Sequence, residues 1–233
     1  MSGVRPENAG TESADLRSVT RWVEFLALFA GLPLALVTLA PGRPVLPALW
    51  ISTAVIGAAL ALDRTFDRGV FAASRLRAAG WRRILVRWAV AAAALTGILV
   101  LAKPEYLLQL PRARPRVWAL VMVLYPLLSV VPQAIVYRAF LFHRHGGLFP
   151  SPRARLAAAA VAFALAHIVF LNPWALAFTL VGGWLFAGTY VRTGSLWASA
   201  IEHALYGCFL MTVGWGRFFY HGSIATAEAW AGK

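Results

Sequence analysis

The chain has 233 residues and a net charge of +13, and 60% of its residues are hydrophobic while only 13% are charged. A soluble domain usually contains about 25% charged residues, so this composition excludes an ordinary soluble fold. The basic residues lie between apolar runs, which indicates membrane orientation and contact with anionic lipid and argues against nucleic-acid binding.

Seven runs along the chain are long and apolar enough to cross a bilayer, which takes about 20 such residues. Residues 1–21 precede them and are polar and mixed in charge, so we predict a disordered cytoplasmic tail there. The segment 63–83 alternates arginines with apolar residues, which is typical of a helix lying in the membrane interface. The predicted spans are 23–40, 45–62, 84–102, 117–137, 156–171, 174–191 and 196–215.

These runs predict an all-α, polytopic membrane helix bundle of about seven to eight transmembrane helices. An eighth element would lie within 63–83 or after residue 214. We divide the chain into N-terminal membrane helices over 22–102, a core over 103–224 and a tail over 225–233. Loops on the N-terminal side carry more Lys and Arg, which favours a cytoplasmic N-terminus. We expect a multi-pass protein of the bacterial inner (cytoplasmic) membrane.

Ionisable residues within these apolar runs are functional candidates, because each costs several kcal/mol in a bilayer. They are Glu24, Arg138, His167, Glu202 and His203. Glu24 lies near a helix end and is expected to reach the interface. The two histidines and Arg138 belong to separate spans, so they converge only in the bundle interior or in a wet cavity. Two imidazoles could ligate a divalent metal such as zinc, or orient a water and stabilise an oxyanion.

Three short motifs occur in order in separate spans. They read QAIVYR over 133–138, FALAH over 163–167 and HALYG over 203–207. With the flanks YRAFLFHR and GSLWASAIEHAL, they resemble the CPBP family of intramembrane proteases, also called the CAAX-protease, bacteriocin-processing or Abi family. That family's motifs are EExxxR, FxxxH and HxxxN. The resemblance covers about 117–210.

The resemblance implies an intramembrane endopeptidase of glutamic or metallo type, in which a glutamate of the first motif and the second-motif histidine activate water. The third-motif histidine and asparagine stabilise the oxyanion. Here the glutamate positions hold Gln133 and Ala134, and the asparagine position holds Gly207. A lost general base costs about 10²–10⁴-fold in rate, and a lost oxyanion donor about 10²–10³-fold. We therefore expect hydrolysis to be weakened or absent.

Several functions stay open at this point. The chain is an active protease with a shifted base such as Glu202, a weakened or non-catalytic protein that binds peptides or lipids, or a transporter-like bundle. Its expected partners are membrane lipids and a membrane-embedded or lipidated peptide. Without a glutamate at 134, Arg138 needs another acceptor, and we predict an Arg138–Glu202 pair, with exposure of Arg138 at the cytoplasmic interface as the alternative.

Overall fold

The computed structural model describes residues 7–39 and 45–219. Seven helices in these ranges are long and apolar enough to cross a membrane, which confirms the predicted helical bundle. Many large apolar side chains, including Leu101 and Leu62, lie exposed on the outer surface, as expected where lipid replaces water. The helices are α1 (Ser18–Leu39), α2 (Val45–Leu62), α3 (Trp81–Ala102), α4 (Pro115–Leu148), α5 (Pro152–Phe170), α6 (Pro173–Thr193) and α7 (Leu196–Val213).

The segments outside the seven spans are short. The helix that contains α1 already begins at Glu7, within the stretch that we predicted to be a disordered tail. The segment 63–83 contains a 3-10 turn, Arg68–Phe71, and a short helix, Ala73–Arg77, rather than one interfacial helix. The predicted tail over 225–233 lies outside the described residues, and the division of the chain into domains stays a prediction.

The longest helix, α4, exceeds its predicted span because it continues to Leu148. Its backbone widens into a π-helix over Ile135–His145, and π-helical turns are frequent at functional sites. Pro132 precedes this region and has no N–H to donate to the Leu128 carbonyl. The Trp50 indole of α2 donates to that carbonyl instead, at 3.0 Å. A side chain of another helix thereby stabilises the irregular part of α4.

Two helices approach each other closely because their contact residues are small. The alanine-rich α5 packs against α6 at Gly183, where an added Cβ would lie 3.0 Å from the Cα of Ala160. Small residues let membrane helices pack backbone to backbone. The last helix, α7, is the most enclosed, with 56% of its span buried. More than half of the residues on α7 therefore face other helices rather than lipid.

Ion pairs gather at the face where α1 begins and α4 ends. Arg144 binds both carboxylate oxygens of Glu24, with its Nη2 at 2.9 Å from Oε2. His143 Nε2 donates to Asp63 at 2.8 Å, and this hydrogen bond holds the pKa of the Asp63 carboxyl below its ordinary range. Glu24 lies within the helix that begins at Glu7 and pairs there with the last turns of α4. The clustering indicates that this face lies at the membrane surface.

Candidate functional site

A cavity of about 820 Å³ lies inside the bundle and is lined by residues of all seven helices. Apolar side chains form most of its wall. Gln133, His167 and His203 lie on it, so one residue of each motif lines the same cavity, whereas Arg138 does not line it. No Asp, Glu, Lys or Arg of the described ranges 7–39 and 45–219 lines this cavity. Its size is within the range of ligand-binding pockets, and its polar groups are neutral.

His167 lies just beyond the end of the α-helical part of α5, which ends at Leu165. Its Nδ1 lies 2.7 Å from the Phe163 carbonyl oxygen. A carbonyl oxygen only accepts, so Nδ1 carries the proton and Nε2 carries the lone pair. The ring is thereby oriented with its basic nitrogen available to a base or ligand role, as expected for the second-motif histidine.

His203 lies on α7 and is buried against aromatic rings. It stacks on Phe186, with the ring centroids 4.7 Å apart and an interplanar angle of 17°. Its Nε2 lies 3.1 Å from the Tyr125 hydroxyl of α4. Phe163 contacts the rings of both motif histidines, at 5.3 Å from His203 and 4.7 Å from His167. Both imidazoles therefore pack against the same phenyl ring.

Tyr125 lies where the third motif would carry its asparagine. A Cβ added to Gly207 would lie 2.3 Å from the Tyr125 hydroxyl oxygen and 2.4 Å from its ring, closer than any side chain tolerates. The absence of a side chain at Gly207 thus leaves room for the Tyr125 ring. Tyr125 belongs to a different helix and places its hydroxyl group next to His203. This histidine therefore has a polar neighbour although position 207 is not asparagine.

The two positions of the missing glutamates differ in what they face. Gln133 lines the cavity, and its Nε2 donates to the Ser129 hydroxyl at 2.7 Å while its buried Oε1 has no hydrogen-bond partner among the described residues. Ala134 is only 1% exposed and lies in the packed core. The geometry therefore favours position 133 as the place from which a carboxylate would face the histidines.

Arg138 is buried in the bundle with 1% of its surface exposed, so the predicted alternative of exposure at the interface is wrong. None of its three side-chain nitrogens has a hydrogen-bond partner in the described part of the chain. Its guanidinium carbon lies 4.4 Å from the Phe163 ring centroid and 5.6 Å from that of Phe186. Desolvated cation–π contacts contribute about 2 kcal/mol, whereas a buried charge without its partner costs about 3–5 kcal/mol. The rings only partly offset this cost.

The predicted Arg138–Glu202 ion pair does not form. Glu202 is fully buried, and its Oε1 accepts a hydrogen bond from Arg87 Nη2 of α3. The same Arg87 nitrogen lies 2.9 Å from the Thr189 hydroxyl of α6. Glu202 precedes His203 by one residue and so points about 100° away around the helix. It does not line the cavity, and this geometry argues against its role as a shifted base.

The donor set for the expected metal is incomplete. No group of three or more His, Cys, Asp or Glu side chains comes together within 7–39 and 45–219. Catalytic zinc takes three protein ligands and keeps one open position. His167 and His203 supply two imidazoles at most, and Nε2 of His203 already faces Tyr125. These residues therefore do not supply the three protein ligands of a catalytic zinc site.

Residues 115–209 match the model of the family described as Rce1-like, type II CAAX prenyl endopeptidase. The resemblance to the CPBP family is confirmed. The matched segment runs from the start of α4 into α7, includes all three motifs and covers less than half of the chain. Searches of the curated proteins and of the solved structures gave no match.

Two residues of the candidate site were not predicted from the sequence. Tyr125 lies two helical turns before Gln133 in an apolar run, and its hydroxyl was the only available signal. Arg87 counted only as a loop charge, although it reaches the buried Glu202. Neither role could be read from spacing, because each depends on a contact between helices that are distant in sequence.

Proposed function

We propose that this chain is a CPBP-type membrane protein that holds a membrane-embedded or lipidated peptide in its cavity and hydrolyses it only weakly. One observation carries the proposal. The two motif histidines meet a large apolar cavity whose described lining contains no carboxylate. An apolar wall with a few polar groups suits a lipid chain or a membrane segment next to a peptide bond. The family match supports an intramembrane endopeptidase ancestry.

We expect weak hydrolysis because the first motif has no glutamate to act as the general base. His167 presents an unprotonated Nε2, which can accept a proton from water, but no described cavity residue supplies the acid group of the first motif. Loss of a positioned base costs about 10²–10⁴-fold in rate. The oxyanion side is less affected in this proposal, since the Tyr125 hydroxyl provides a polar group beside His203 where the family motif has asparagine.

We also propose a cytoplasmic location for the face that carries the Arg144–Glu24 and His143–Asp63 pairs. This face holds the start of α1, so the N-terminus lies in the cytoplasm. Both pairs join loops and helix ends that the Lys and Arg count assigns to the inside.

Restoring a carboxylate at each of the two positions tests the proposal. We expect the purified parent to bind a lipidated peptide and cleave it barely above background. Gln133→Glu should raise kcat by about 10²–10⁴-fold, because its carboxylate would face the cavity beside Ser129. Ala134→Glu should raise it much less, because Ala134 is packed in the core. Ala134→Gln is the control for added volume.

Two further variants decide what a positive result means. His167→Ala in the Gln133→Glu background should remove the gained activity. A parent that cleaves rapidly, and whose cleavage Glu202→Gln abolishes, would show that the base has moved and would contradict the proposal. If the parent binds no peptide and no variant cleaves, the cavity has another use.

A further inference from the structure

A cluster of buried polar atoms joins α3 to α7 beside the cavity. The Arg87–Glu202 ion pair uses only the Nη2 and Oε1 atoms of its two members. Three further atoms are buried without a hydrogen-bond partner within the described residues, namely Arg87 Nε, Glu202 Oε2 and the Tyr206 hydroxyl oxygen. Buried polar groups in proteins pair with protein groups or with ordered water. This cluster therefore has the polar atoms that a buried water binds.

Tyr206 extends the cluster to the cavity wall. It lies four residues after Glu202, which places both side chains on one face of α7. Its hydroxyl lies near Arg87 and Glu202 but makes no hydrogen bond of ordinary geometry. Tyr206 lines the cavity, whereas Arg87 and Glu202 do not. The three residues thus form one polar line that ends in the cavity.

The other end of this polar line reaches the outer surface of the bundle. The Arg87 side chain is 28% exposed, while that of Glu202 is fully buried. Arg87 lies six residues after Trp81, where α3 begins, and is therefore roughly 9 Å from that end of the helix. At this depth an arginine side chain is within reach of the hydrated head groups. Polar atoms thus connect the membrane interface with the cavity wall.

The apolar side of the cavity opens towards lipid. Leu46, Leu120 and Leu128 line the cavity and are also exposed on the outer surface. Leucine side chains form no hydrogen bonds with water, so this opening suits an apolar occupant. Hydrolysis also needs water, which enters a buried site at lower cost where polar atoms bind it.

We infer that Arg87, Glu202 and Tyr206 form a hydrated passage, which admits water from the membrane interface to the cavity. Their three unbonded atoms supply the polar partners that a buried water needs, usually about three. The ion pair thereby has a second role besides joining helices. The passage does not depend on cleavage by this chain, and only the use of its water in hydrolysis rests on the proposed function.

Hydroxyl-radical footprinting tests the passage in the purified full chain. A short X-ray pulse converts water to radicals that oxidise neighbouring side chains, and mass spectrometry measures the rate at each residue. We expect Tyr206 to be oxidised severalfold faster than Tyr137, which belongs to α4, lines the same cavity and is almost equally buried. Water in the cavity alone would oxidise both tyrosines at similar rates.

An apolar replacement of the ion pair should close the passage. In the double variant Arg87→Met/Glu202→Met, we expect the oxidation rate of Tyr206 to fall to that of Tyr137. This variant should fold, because apolar residues of similar volume often replace a buried ion pair without loss of stability. Arg83→Met, at an exposed position of the same helix, is the control and should leave the Tyr206 rate unchanged. The comparison of Tyr206 with Tyr137 in the parent decides the matter if the double variant does not fold.

The use of the water is tested separately in the Gln133→Glu background. There the methionine pair should lower kcat severalfold and leave KM for the lipidated peptide unchanged, because the apolar opening is intact. An unchanged kcat in a double variant that has lost rapid Tyr206 oxidation would overturn the supply of water for hydrolysis.

Two footprinting results overturn the passage itself. Equal oxidation of Tyr206 and Tyr137 in the parent would mean that Arg87 closes onto both carboxylate oxygens of Glu202 and leaves no place for water. Rapid oxidation of Tyr206 that persists in the double variant would mean that its water comes from the cavity. If Gln133→Glu cleaves no peptide, the proposed function fails while the footprinting still decides the passage.

Discussion

Buried charge is neutralised by an ion pair on one side of α7 but has no ion-pair partner among the described residues on the other side. On one side, Glu202 is enclosed by α3 and α6 and is bound by Arg87, so a carboxylate and a guanidinium neutralise each other. On the other side, His203 faces a cavity without charged lining residues among those described, and the nearby Arg138 lies against two aromatic rings with no hydrogen-bond partner in the described part of the chain. The chain thus keeps a carboxylate beside a motif histidine but uses it to join helices. The cavity side has the Arg138 guanidinium nearby and two imidazoles, but no described carboxylate lines it.

The largest effect should come from breaking the paired side. Arg87→Met leaves Glu202 as an uncompensated buried charge and should lower the free energy of unfolding by about 3 kcal/mol. We take the lower end of the range because the Arg87 side chain is 28% exposed. Thermal unfolding in detergent measures the change. Arg83→Met, at an exposed position of the same helix, is the control and should have little effect.

The next effect concerns the tight contact on the cavity side. Gly207→Ala should destabilise the protein by about 1–3 kcal/mol, because the new Cβ collides with Tyr125. In a Tyr125→Ala background the same substitution should cost much less, and a double-mutant cycle measures the coupling. Gly97→Ala is the matched control, since no atom lies within 4 Å of its added Cβ. Equal costs in both backgrounds would contradict the packing described above.

A change of opposite sign is expected at the unpaired arginine. Arg138→Met removes a buried charge that has no hydrogen-bond partner in the described part of the chain, and it should raise the free energy of unfolding by about 1–2 kcal/mol. The same thermal measurement applies. A marked loss of stability, comparable with that of Arg87→Met, would mean that the two sides of α7 do not differ as proposed.

The smallest effect should follow removal of one hydroxyl. Tyr125→Phe deletes the hydrogen bond to His203 Nε2 while keeping the ring, and should cost about 0.5–1.5 kcal/mol. In a His203→Phe background that cost should disappear. A similar cost in both backgrounds would assign the hydroxyl to another partner.

The transmembrane spans and the end of α4 differ in how well the sequence predicted them. Six of the seven spans were predicted near their observed bounds, because a bilayer requires about 20 apolar residues whatever the neighbouring helices do. The end of α4 was missed by about ten residues. Its last turns carry charged residues, and their helical structure depends on contacts such as Arg144 with Glu24.

The sequence by itself determined that the chain is a membrane helix bundle, and it predicted that His167 and His203 share one site. Apolar length and motif order are local properties of the chain. Only the tertiary structure decided that Glu202 pairs with Arg87, that Tyr125 fills the space beside Gly207, and that Gln133 rather than Ala134 faces the cavity. These outcomes depend on which helix faces meet, and helix packing is set by residues far apart in sequence.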